Sequence, residues 1–296
     1  MDFVNIVNKF GYSEEFSKVL KQIYNQLIVI FKNEQLVYEA LLNTKIVNVN
    51  NVYNYLRDNE LLESDETLVT ESDLKRSSGV YHSVPEITFS DGKYEIKSVK
   101  RVVAVVNLDL SNTSSKATLA HELSHLIKSY YNEYTIENNI LTANSGFITS
   151  SYELSHDGEK VTKKLLKEAG VGLEEGLTSV QEELITRNAF DIGYKSSGYG
   201  AANGIAGNFL ELTDMYDVII NAEIYHDKSE LFKRIKLEEY TALEDLADRI
   251  YKLGLEMFAS AMDYDKMLEI AEEMKKIIRE EYAPLRNSMA NNLNRS

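Results

Sequence analysis

His121 and His125 stand four residues apart, with Glu122 between them, in the run Ala117-Thr118-Leu119-Ala120-His121-Glu122-Leu123-Ser124-His125-Leu126-Ile127. On a helix, residues four apart share a face, so two imidazoles at this spacing can grip one Zn²⁺ while the glutamate faces the remaining metal position. The chain holds five histidines in 296 residues. At that density, accidental matches to the pattern are expected on the order of 0.01 times per chain. The competing explanation is an amphipathic helix that turns Leu119, Leu123, Leu126 and Ile127 inward and carries its histidines as ordinary polar positions. The surrounding elements favour the metal.

Residues 101–110, Arg-Val-Val-Ala-Val-Val-Asn-Leu-Asp-Leu, are rich in β-branched side chains and read as a buried strand. Ser111-Asn112-Thr113-Ser114-Ser115 then ends the strand and supplies helix N-caps, so a helix carrying the two histidines should run to about Tyr130. Upstream, Pro85-Glu86-Ile87-Thr88-Phe89 and Lys93-Tyr94-Glu95-Ile96 flank Ser90-Asp91-Gly92, where glycine allows a tight reversal, and predict a β-hairpin. The stretch from Ser77 to His82 is either an open sheet edge, to which an extended peptide can add as a strand, or a loop entering the sheet.

A catalytic zinc commonly has three protein ligands and one open position. The best source of the third is a second helix, suggested by the spacing of Leu177, Val180 and Leu184, whose first turn would hold Glu174 and Glu175. With this element in place the chain resembles the gluzincin metallopeptidases, which pair HExxH with a glutamate on a following helix, in many members immediately before a glycine. The resemblance implies that His121 and His125 are ligands, Glu122 is the general base and Glu175, before Gly176, is the third ligand, with Glu174 the near alternative. Thermolysin-like members also place an aspartate four residues after the glutamate ligand to orient the first histidine; here that position is Ser179. Glu182 and Glu183 lie about two turns further on, roughly 10 Å along the helix, and read as solvated carboxylates.

This ligand set serves peptide hydrolysis, because zinc acidifies water and polarises a carbonyl while Glu122 takes up and returns a proton. A tetrahedral oxyanion also needs a donor, which gluzincins commonly supply as tyrosine or histidine beyond the glutamate helix. A return helix from about Ala206 to Ala222 would bring back Tyr225 and His226, and the loop Ser196-Ser197-Gly198-Tyr199-Gly200 offers Tyr199.

Thirty-two basic against 47 acidic residues give a formal charge of −15, which disfavours nonspecific attraction to nucleic acid or anionic lipid. The absence of cysteine excludes both disulfides and thiolate metal ligands. The first residues show no secretory signal and no apolar run is long enough for a membrane span, so a cytoplasmic location is expected.

Three regions are predicted. Residues 1–65 are helical, with apolar positions at helical intervals over 14–42 and a short helix over 52–62; residues 66–192 form the catalytic core; residues 193–296 are again helical. Within the core, 134–138 and 146–150 are expected to form a hairpin and 161–169 a short helix, while the glycine-rich stretch 193–207 reads as a flexible connection. The expected fold is α+β, with a zincin-like core in which a small, mostly antiparallel sheet lies beside the HExxH helix. The expected function is a zinc-dependent peptidase acting on a peptide or protein. Its rivals are a regulatory protease specific for one protein partner and a noncatalytic binding module on the same fold.

Overall fold

In the computed structural model the described residues are all except 63–70, 132, 159, 192–199, 214, 261–262 and 294–296. The chain is of mixed helix and strand with small sheets, and it divides into two compact units. Unit 1 comprises Met1–Ser145, Ser150–Lys167 and Gln181–Lys195; unit 2 comprises Gly146–Thr149, Glu168–Val180 and Ser196–Ser296.

In unit 1, α1 (Val4–Phe10) precedes the helical pattern over 14–42, which resolves into α2 (Glu14–Phe31) and α3 (Glu34–Leu42). Ser13 caps α2 by accepting the Phe16 amide. Lys32 breaks the run in a left-handed conformation (φ 52°), and Asn33 caps α3 through the Leu36 amide. A strand not anticipated from the sequence, β1 (Lys45–Val49), comes next, followed by α4 (Val52–Asp58) and α5 (Glu71–Arg76).

The predicted hairpin is β2 (Gly79–Ser90) and β3 (Lys93–Val106), closed by Asp91 and Gly92 at φ 53° and 76°, as a two-residue turn with both central residues left-handed requires. β3 lies between β1, which it pairs in parallel, and β2, which it pairs antiparallel. Its central position explains the unbroken apolar run: Val102, Val103, Ala104 and Val105 are all buried, with no alternation. The sheet is therefore mixed, and β2 is an edge strand that begins within the Ser77–His82 stretch. Val49, Val52, Leu56, Val102 and Ala104 form an apolar cluster on it.

The HExxH helix is α6 (Thr113–Ser129), capped by Asn112, whose side chain accepts the Ser114 amide. It packs against β2 and β3. After it comes a four-stranded sheet in sequence order: β4 (Tyr134–Glu137), β5 (Ile140–Ser145), β6 (Ile148–His156) and β7 (Val161–Ala169).

Two expectations fail here. Residues 134–137 pair with 140–145 rather than with 146–150, because Asn138 and Asn139 both take positive φ (49° and 64°) and make a two-residue turn without glycine. Residues 161–169 form a strand, not a helix. Their lysines and leucines are good helix formers, but sheet pairing overrides that local preference, helped by a Ser155–Thr162 hydroxyl bond of 2.7 Å.

The glutamate helix, α7 (Val171–Phe190), runs unbroken through both units. Unit 2 continues with α8 (Gly200–Thr213), α9 (Tyr216–Tyr225), α10 (Ser229–Phe232), α11 (Leu237–Ala259), α12 (Tyr264–Ile277), a π-helical turn (Ile278–Tyr282) and α13 (Ala283–Leu293). Leu173 and Leu177 of α7 join Ile205 and Phe209 of α8, Ile219 of α9 and Leu243 of α11 in its core. The glycine-rich stretch is thus helical from Gly200 onward, and the expected return helix is divided between α8 and α9. Small residues there allow close helix contact: a Cβ on Gly176 of α7 would come within 2.6 Å of the Ala202 carbonyl. Among the described residues no helix is long and apolar enough to cross a membrane.

Candidate metal centre

α6 delivers His121, Glu122 and His125 to one buried face, each only 8% exposed. The Nε2 atoms of His121 and His125 stand 3.2 Å apart. Two nitrogens each about 2.0–2.1 Å from a tetrahedral zinc would be separated by roughly 3.3–3.4 Å, so the rings already hold the spacing of a shared metal.

The remaining nitrogen of His121 explains why that geometry is stable. Nδ1 lies 3.0 Å from Glu182 Oε2, within unit 1. With a carboxylate there, the ring carries its proton on Nδ1 and turns the lone pair of Nε2 toward His125. Glu182 is buried, contrary to the solvated surface position expected of it. Glu183 does follow that expectation, pairing with Arg187 one turn away. Ser179, where thermolysin-like enzymes carry the orienting aspartate, is buried and its hydroxyl makes no hydrogen bond among the described residues. The carboxylate that meets His121 Nδ1 is that of Glu182.

α7 is one continuous helix, so Glu175 sits seven residues before Glu182 on nearly the same face. His121, His125 and Glu175 offer ligand atoms that all lie within 4.8 Å of one another, a group that can hold a metal ion. Glu182 takes the Nδ1 side of His121, and Glu175 belongs to the group that could hold a metal.

Glu174 has a different task inside unit 2. It is fully buried, accepts the Phe147 amide at 2.9 Å and the Thr178 hydroxyl at 3.2 Å, and fills the space beside Gly146. A Cβ on Gly146, whose φ is +57°, would come within 2.0 Å of Glu174 Oε2. The choice between the two glutamates therefore falls to Glu175 as the ligand candidate and Glu174 as the lock on residues 146–147.

Glu122 accepts the backbone amide of Tyr81, the third residue of β2, at 2.6 Å. Gly79 makes room for it, since a Cβ there would lie 2.5 Å from Thr118 Cγ2 and 3.1 Å from Glu122 Cγ. The Tyr81 hydroxyl donates to buried Glu133, and burial raises both groups above their ordinary pKa values, opposed at Glu133 mainly by the nearby Arg101 cation. This network was not legible in the sequence.

Of the oxyanion-donor candidates, Tyr199 lies outside the described residues. His226 ends α9 in a left-handed conformation (φ 55°), and its Nδ1 is 3.1 Å from the Gly146 carbonyl, within unit 2. Tyr225 is largely exposed, with 46% of its surface accessible. No family model, curated protein or solved structure matches the chain.

Proposed function

We propose that the chain is a zinc-dependent peptidase of gluzincin type with a zincin-like core, acting on a peptide or protein substrate. The observation that carries this reading is the 3.2 Å approach of the two Nε2 atoms, with the opposite nitrogen of His121 held by Glu182. The donor set of His121, His125 and Glu175, two imidazoles and a carboxylate, suits zinc and keeps a coordination position open. Bound there, zinc supplies a Lewis acid that polarises the scissile carbonyl and acidifies a water molecule.

The chain's own residues do the proton work. Glu122 accepts a proton from the water as its oxygen adds to the carbonyl carbon, and delivers it to the departing nitrogen as the C–N bond breaks. The Tyr81 amide fixes the carboxylate for both transfers. His226 is proposed as the oxyanion donor, with Tyr199 the alternative. Glu182 supplies the carboxylate that Ser179 lacks, which argues against a noncatalytic module.

Zinc analysis of the purified chain beside Glu122→Gln tests the reading. Roughly one zinc per chain is expected in both, with cleavage of a peptide library only by the unsubstituted protein. No zinc in either form and no cleavage would overturn it.

A further inference from the structure

The backbone of β2 alternates. Ser78 accepts the Val106 amide at 2.8 Å, so in the antiparallel register the backbone groups of Ser78, Val80 and His82 turn toward β3 and those of Gly79, Tyr81 and Ser83 turn toward the open edge. Such an edge would be open along its length, yet much of this one is occupied. The Tyr81 amide goes to Glu122, the Ser83 carbonyl accepts the Tyr134 hydroxyl at 3.0 Å, and Pro85 has no amide to offer.

The side chains of Tyr81 and Ser83 share one face of the strand with the Cα of Gly79. At Gly79 that face abuts Thr118 and Glu122 of α6. Further along, the hydroxyls of Tyr81 and Ser83 both donate to Glu133 Oε1, at 2.7 and 2.6 Å. Arg101, opposite Ser83 in the register, donates Nε and Nη2 to Glu133 Oε2 at 2.9 and 2.8 Å. Glu133 lies just past the end of α6. Tyr81 is therefore held twice, by its amide to the middle of α6 and by its hydroxyl to Glu133, beyond the end of that helix. A slip or rotation of β2 that released Glu122 would also break the two hydroxyl bonds to Glu133 Oε1, leaving a buried carboxylate oxygen short of donors, which is unfavourable.

We propose that Tyr81, Ser83, Arg101 and Glu133 form a positioning device for the general base, setting the Tyr81 amide against Glu122 through the edge strand. The proposal rests on the peptidase reading for its catalytic meaning. The tether itself is a property of unit 1 that can be measured without metal or substrate.

Residue-resolved amide exchange tests the tether, with Glu122→Ala, Tyr81→Phe and Ser83→Ala compared with the unsubstituted chain. Protection at the position-81 amide should fall at least about tenfold in Glu122→Ala and fall in the other two. The amides of Val80 and His82, bonded toward β3, should keep theirs. In Tyr81→Phe and Ser83→Ala, kcat should drop about 10- to 100-fold, with KM and zinc content unchanged.

Unaltered exchange at position 81 in Glu122→Ala would overturn the proposal, as would a uniform loss along β2, the mark of simple destabilisation. Failure of the unsubstituted chain to bind zinc or cleave peptides would overturn the peptidase reading instead, leaving the exchange pattern intact.

Discussion

Glu174, Glu175 and Glu182 are three carboxylates of one helix with three different consequences on removal. Glu182 acts through His121, so Glu182→Ala should weaken zinc binding about 10- to 100-fold, read by competition with a chelator. Glu182→Gln should weaken it less, because the amide oxygen still accepts from Nδ1. Equal zinc affinity in all three forms would show that Glu182 does not orient the ring. Glu175→Gln should lose zinc with little change in the urea stability of the metal-free chain. Glu174→Gln should do the reverse, costing about 1–3 kcal/mol while zinc is retained, because the carboxylate it removes holds the Phe147 amide and the Thr178 hydroxyl. The opposite order would move the ligand assignment by one residue. The pairing of His121 with His125 was legible in the sequence because a helix turns spacing into geometry, whereas Glu175 entered through the resemblance and is grouped with them in the structure. Glu182 was not legible, because its partner lies on another helix and helical periodicity alone says nothing about which neighbour faces it.

Among the elements, α7 depends on a cap from far along the chain. Asp248 of α11 accepts the amides of Gly170 and Gly172 at 2.9 and 2.7 Å, satisfying the start of the helix within unit 2. A Cβ on Gly172 would come within 2.1 Å of the Ala247 carbonyl, so α7 and α11 approach closely enough for that cap only through a glycine. Burial raises the Asp248 carboxyl above its ordinary value, outweighing the two amides that pull it down. A carboxyl whose pKa is higher folded than unfolded contributes most below the unfolded pKa, and loses that contribution as pH rises through the folded one. The stability margin over Asp248→Asn in urea should therefore be larger in mild acid than at neutral pH; a margin that grows with pH would contradict the assignment. The sequence exposed the β2–β3 hairpin through its Asp-Gly turn. It concealed the Asn138–Asn139 turn and the strand character of 161–169, where local preference yields to pairing in the four-stranded sheet.

For the molecule as a whole, composition and patterning made the α+β class legible, whereas the two-unit division was not, since segments distant in sequence assemble each unit. α7 contributes residues to both. A ligand that binds only the folded chain stabilises it by about 4 kcal/mol at a thousandfold excess over Kd, so added zinc should raise the melting temperature by several degrees. Calcium at the same concentration should not, because two imidazoles are poor ligands for a hard cation. Glu122→Gln should keep the zinc shift and Glu175→Gln should lose most of it, separating the ligands from the base without any assay of cleavage. Since imidazoles must be unprotonated to bind, the shift should also shrink as pH falls. Melting unchanged by zinc, or shifted equally in His121→Ala, would mean that the paired histidines of α6 do not hold the metal.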